Sequence, residues 1–239
     1  MNVIIQDLRK ELIASIDEKT KNTFQRFFKD KVLCYGIKTA DVGRIAKKYW
    51  KEIQDKSKSE IYELCEELYK SDYSEEAFVV SFWASKFEKF LEEKDLKTYE
   101  KWIENYINNW AKCDGFCNHA VGDYMVKYPS KISVLKKWAK SPNRWMRRAA
   151  AVTLIIPAKN GDFLEDVFEI SDILLMDKED IVQKGYGWLL KEASRKHQEE
   201  VFNYVMSKRN VMPRTALRYA IEKMPKELKV EAMKKEITK

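Results

Sequence analysis

The chain predicts an all-α protein, and three observations carry that expectation. Its 239 residues include only seven Gly and five Pro, well below the roughly 7% and 5% of an average protein, so turns are scarce and long regular elements are favoured. Apolar residues recur at i, i+3 and i+4 almost throughout, without the sustained two-residue alternation of a half-buried strand. Several segments also share one template: a polar or basic pair, a small residue, then an apolar face. They read "SEEAFVVSFWASKF", "CNHAVGDYMVKYP", "RWMRRAAAVTLIIP", "IVQKGYGWLLKEA" and "MPRTALRYAIEKMP". Aligned on Ala77, Ala120, Ala149, Gly185 and Ala216, they recur at spacings of 43, 29, 36 and 31 residues. Such spacing suits degenerate helix-pair repeats, hence a superhelical solenoid forming one helical-repeat domain over residues 1–239. A non-repetitive helical bundle is the alternative.

Taken in order, Ile4, Ile5, Leu8, Leu12 and Ile16 give the first helix its apolar face. In "CYGIKTAD", Gly36 suits a helix end, while Thr39 can cap the next helix with Asp41 in its first turn. Ile61, Leu64, Cys65 and Leu68 mark a further helix. The breaks "KSDYSEE", "KYPSK", "KSPNRW", "PAKNGD" and "RNVMPRT" read as helix-to-helix connections. In stacked helix pairs the small residue permits close packing, and the start of each second helix lines one continuous surface. Arg147, Arg148, Lys184 and Arg214 fall on that surface.

With 45% apolar and 13% aromatic residues the chain can bury a sizeable core. Trp50, Trp83, Trp102, Trp138 and Trp145 lie within helical patterns and are assigned to the core or to helix interfaces. The longest uncharged apolar stretch, "AAAVTLIIPA", is about half of what spans a bilayer, so no membrane association is expected and the location is read as cytoplasmic. The four Cys are expected as reduced thiols rather than a disulfide framework. The net charge of +7 is unevenly placed: Tyr124 to Gly161 holds nine bases and no acid. A cation field of that kind suits a polyanion-binding surface, and equally a solvated helical face.

The stretch "NWAKCDGFCNHA" concentrates chemistry-bearing residue types. Cys113, Cys117 and His119 form C-x3-C-x-H, but a closed zinc site needs four ligands and no second ligand pair is recognisable. On a helix the two Cys share a face and His119 points away from both. A Cys/His nucleophile pair fails for the same reason, since the base must reach the thiol. Trp110 and Asp114, four residues apart, stand one above the other on a helical face. A surface acid over a packed aromatic is the plain reading of that pair. A functional one gains from the nearby "RWMRRAA", whose Arg148 could pair with a carboxylate and keep it ionised.

Taken together, "VLCYGIKTADVGRIAK", "NWAKCD", "NRWMRRAA" and "GYGWLLKEA" resemble the AlkD-like DNA alkylation repair family, DNA glycosylases built of HEAT-like helical repeats. The resemblance runs from about residue 20 to residue 220. It implies a solenoid whose concave basic face cradles duplex DNA containing alkylated bases. It also implies hydrolysis of the N-glycosidic bond of cationic N3- or N7-alkylated purines, without lyase activity, by a protein expected to act as a monomer. Carried over by position, Trp110, Asp114 and Arg148 correspond to the catalytic Trp, Asp and Arg, and Trp188 to a second DNA-facing Trp. Arg144, Arg147, Lys184 and Arg214 would bind DNA alongside them. The lesion is expected to stay in or near the stack, and neither metal nor cofactor is implied. Phe27 in "QRFFKD" replaces a Tyr common in the family, so any contact of that hydroxyl is absent. A non-catalytic HEAT-repeat protein binding bent, branched or damaged DNA is the alternative; a protein-interaction scaffold is a third.

Overall fold

The computed structural model describes residues 2–87 and 90–234, and among them there is no strand. Two compact units divide the chain, Met1–Phe116 and Cys117–Lys239. The division falls inside "NWAKCDGFCNHA".

In the first unit the helices are α1 (Val3–Ala14), α2 (Glu18–Gln25), α3 (Thr39–Ile53), α4 (Lys58–Tyr69), α5 (Ser74–Ala84), α6 (Asp95–Tyr106) and α7 (Trp110–Phe116). Their starts follow side-chain chemistry. The Asn2 side chain accepts from the Ile4 N–H and Asp17 from the Thr20 N–H, and Ser57 with Glu60 closes a capping box. The core runs along α5, which packs against α3, α4 and α7. There Val79, Val80 and Trp83 are fully buried, and the Trp83 indole N–H donates to the Ala46 carbonyl at 3.0 Å.

"CYGIKTAD" departs from its sequence reading. Gly36 ends no helix: it lies in an extended segment well past the end of α2, with φ +88°. A Cβ there would stand 2.2 Å from the Lys21 Cβ, so the residue serves both a left-handed backbone and a close approach. Thr39 is the first helical residue of α3 rather than its cap, Lys38 holding the cap position without a side-chain bond. The cause lies on α5. The buried Glu75 carboxylate accepts from the backbone N–H groups of Tyr35, Gly36 and Ile37 at 3.0, 2.8 and 3.2 Å, pinning the segment extended up to the helix start. Beside it Glu76, fully buried, accepts from Arg9 at 2.8 Å and from the Tyr35 hydroxyl at 2.7 Å.

The second unit opens with a π-helical turn, Cys117–Val121. It continues through α8 (Gly122–Lys127), α9 (Ser133–Trp138), α10 (Arg144–Val152), α11 (Ile155–Asn160), α12 (Leu164–Leu174), α13 (Asp180–Ala193), α14 (Gln198–Lys208), α15 (Arg214–Ala220) and α16 (Lys226–Met233). Its central element is α13, packed against α10, α11, α12 and α15. All five small residues used to align the repeats are buried. At Gly185 a Cβ would find ordinary packing distances, 3.6 Å from the Arg148 side chain and 3.7 Å from Val152. Gly187 is tighter: a Cβ would be 2.7 Å from the Tyr219 Cβ and 2.8 Å from the Ala216 carbonyl oxygen. No described helix is long and apolar enough to cross a membrane.

Candidate functional site

Helix α7 begins where Asn109 caps it, its side-chain oxygen accepting from the Lys112 N–H at 3.0 Å. That start puts Trp110 in the first turn and Asp114 one turn later, both half-buried, while Lys112, Cys113 and Phe116 are buried. The Trp110 indole is not loose. Its ring stacks on Phe28, with centroids 5.2 Å apart and planes 19° from parallel, and its N–H donates to the Phe27 carbonyl at 3.4 Å. Phe28 in turn packs on Phe24, and Phe24 meets Phe78 edge-on. The segment after α2 thus supplies a ring and a backbone acceptor to Trp110, whereas the Phe27 ring itself is 66% exposed. Phe28 is a site residue that sequence reasoning missed. Its pairing with Trp110 joins positions 82 apart in the chain, which no local pattern reveals.

The second unit carries the other residues the resemblance singled out. Arg148 is only 5% exposed and donates to the Ile181 carbonyl at the start of α13, its side chain running past Gly185. Arg147 is held by four bonds: Nε and NH2 reach Asp177 at 2.6 and 3.4 Å, and NH1 reaches the Ser141 and Pro142 carbonyls at 2.9 and 3.0 Å. Two adjacent arginines of α10 therefore grip the turn leading into α13, which in turn presents Trp188. The Trp188 N–H donates to Glu192 at 3.2 Å, and the other Glu192 oxygen accepts from Arg195. Lys184 pairs with Asp180 at 2.7 Å, one turn away on α13. Arg144 stands 5.1 Å over the Trp145 ring and 3.5 Å from Glu179, and the exposed Arg214 donates to the Met233 carbonyl at 3.3 Å.

These pairings change the electrostatic picture drawn from the acid-free segment. Residues 162–180 that follow it hold eight acids and one base. Arg147 meets Asp177, Arg144 meets Glu179, and Lys136 meets Asp166 and Glu169 at 2.9 and 2.7 Å. Much of the excess charge counted along the chain is answered by the next helix and turn. Lys137, Lys140 and Lys159 are exposed, so the charge this segment presents to solvent rests more on lysines than the motif reading supposed.

Of the C-x3-C-x-H residues, Cys113 and Cys117 are fully buried and His119 is exposed. Among the described residues no group of His, Cys, Asp or Glu could hold a metal ion. Of the tryptophans assigned to packing, Trp83, Trp102 and Trp138 are buried. Trp50 is half-exposed against Phe87, and Trp145 is half-exposed beneath Arg144.

A family model described as DNA alkylation repair enzyme matches residues 8–224, and the chain belongs to that family. Membership places it in the repair of alkylated DNA. The fold is shared with a solved structure of a predicted DNA alkylation repair enzyme from Enterococcus faecalis, with a TM-score of 0.79 at 16% identity, covering 89% of this chain and 98% of that one. No curated protein matches the sequence.

Proposed function

We propose that this chain is a monofunctional DNA glycosylase that releases cationic N3- or N7-alkylated purines from duplex DNA. The observation that carries the reading is the outward face of α7, where Trp110 and Asp114 stand half-exposed while Phe28 and the Phe27 carbonyl brace the indole. Alkylation at N3 or N7 makes the purine a cation that departs as a neutral molecule, so no general acid is needed to help it leave. What the bond cleavage still requires is negative charge beside an oxocarbenium-like sugar and a positioned water. Asp114 supplies both, stabilising the growing charge at C1′ and orienting the water that attacks it. The electron-rich indole face of Trp110 favours a cationic sugar, and Trp188 is kept as a DNA-facing residue of the second unit.

Arg148, buried and tied to Ile181, acts through its fixed positive charge toward the DNA backbone and through the position it imposes on α13. Arg147 is assigned to the same positioning, since its donors are engaged. Electrostatic attraction to phosphate falls to the exposed Arg214, Lys137, Lys140 and Lys159, with Arg144 and Lys184 contributing what Glu179 and Asp180 leave of their charge. As the family resemblance implies, the lesion stays in or near the stack while the site approaches C1′ from the groove.

The test is release of 7-methylguanine from methylated duplex DNA, quantified by mass spectrometry against the spontaneous rate. The protein should exceed that rate, and Asp114→Asn should lose most of the excess while retaining DNA affinity. Release no faster than the spontaneous reaction, with duplex binding intact, would assign the chain to non-catalytic DNA binding instead.

A further inference from the structure

Lys112 is a buried ammonium that the reaction itself does not use. It is 2% exposed, and burial lowers its pKa below the ordinary lysine range against the raising pull of Asp72. A lysine is seldom placed so deep unless its three donors are matched. Here they are: Nζ donates to the Asp72 carboxylate at 2.6 Å, the Asp72 carbonyl at 2.8 Å and the Asn108 side-chain oxygen at 3.0 Å. The Asn108 amide donates to the same Asp72 carboxylate at 2.7 Å. Asp72 turns its carbonyl and carboxylate to one point because its backbone is left-handed, φ +62°, a conformation that Asp tolerates better than most residues. The turn between α4 and α5 thus clasps the residues around the start of α7.

The position of Lys112 in α7 gives the clasp its meaning. At about 100° per residue, Lys112 lies roughly 200° around the helix from both Trp110 and Asp114, on the face opposite to theirs. The buried face of α7, with Cys113 and Phe116, packs against α5; to that packing Lys112 adds directed bonds from the same side, and Phe28 a ring stack from the other.

Resting on the reading of Trp110 and Asp114 as the sugar-facing pair, we propose that Lys112 is a positioning residue, its clasp on Asp72 and Asn108 fixing the rotation of α7 that aims the pair. Lys112→Met keeps the length of the side chain and removes all three donors. Asp72 and Asn108 are then left short of a partner, and α7 turns.

The experiment labels the protein with 5-fluorotryptophan and follows the Trp110 fluorine resonance, assigned by its loss in Trp110→Phe. In Lys112→Met that resonance should shift or broaden while those of the buried Trp83 and Trp102 hold. Single-turnover release of 7-methylguanine should fall about tenfold or more, with duplex affinity within about twofold, because misplacement of a reacting group costs rate rather than binding. Asp72→Ala, which leaves Lys112 its two other acceptors, should move both readouts the same way by less, and serves if Lys112→Met fails to fold. An unmoved Trp110 resonance in the folded variants overturns the proposal, as does a parallel fall of rate, affinity and melting temperature. A parent protein that releases no base sinks the glycosylase reading alone, and the fluorine resonance then decides the clasp by itself.

Discussion

Gly187→Ala and Gly43→Ala add the same methyl group to a helix interior, and their surroundings send the two changes in opposite directions. In α13 the new Cβ of Gly187→Ala would stand 2.7 Å from the Tyr219 Cβ, 2.8 Å from the Ala216 oxygen and 3.1 Å from the Ala216 Cα. Two of those three atoms are backbone, so a rotamer change cannot relieve the contact and α13 must part from α15. Overpacking of this kind costs about 1–3 kcal/mol, and the helix-propensity gain of Gly to Ala returns roughly 1 kcal/mol. With the contact at the severe end of that range, the net loss is about 1–2 kcal/mol. In α3, a Cβ at Gly43 would meet nothing within 4 Å, so only the propensity gain applies, stabilising by about 0.5–1 kcal/mol. At roughly 2–4 °C per kcal/mol for a chain of this size, thermal unfolding should lower Gly187→Ala by about 2–8 °C and raise Gly43→Ala by about 1–4 °C relative to the parent. The displaced helix also bears Trp188, so Gly187→Ala should slow base release in proportion to how far α13 has moved. A Gly187→Ala protein as stable as the parent would refute the close-packing argument, and a destabilised Gly43→Ala would refute the account of α3.

Three further expectations are simple to check. At pH 8 a thiol reagent should find Cys34 alone in the folded protein, and slowly because partial burial raises its pKa, while all four Cys react in denaturant; Cys65, Cys113 and Cys117 are fully buried. Glu76→Gln should cost about 3 kcal/mol in urea unfolding, because it leaves the Arg9 guanidinium without the carboxylate that raises its pKa in a largely buried site; a loss under 1 kcal/mol would show that the pair is not what joins α1 to α5. Lys137→Ala and Lys140→Ala should each flatten the salt dependence of duplex binding by about one unit of slope if they meet a phosphate, whereas Arg147→Ala should lower the melting temperature and leave that slope nearly unchanged.

The last contrast shows where reading the chain stops. Helical class was legible because hydrophobic periodicity acts over three or four residues, whereas the one cap read from the sequence, Thr39, is the first helical residue of α3. The shared face of Trp110 and Asp114 follows from the same local geometry, as does the separation of His119, which is exposed, from Cys113 and Cys117, which are buried. Counting bases between Tyr124 and Gly161 gave a charge but not a field, since Arg147 finds Asp177 30 residues on. Gly36 looked like a helix end because only its residue type was visible, not the Glu75 carboxylate 39 residues away that holds it extended.

By itself, then, the sequence determined the helices, the small residues at which they could close on one another, and the carboxylate one turn above an indole, all properties of neighbours along the chain. Only the tertiary structure decided which charges are spent internally, that Phe28 braces Trp110, and that Lys112 is buried against Asp72 40 residues away. An ion pair or a ring stack depends on which helices meet, and that is settled by the packing of the whole unit rather than by any stretch within it.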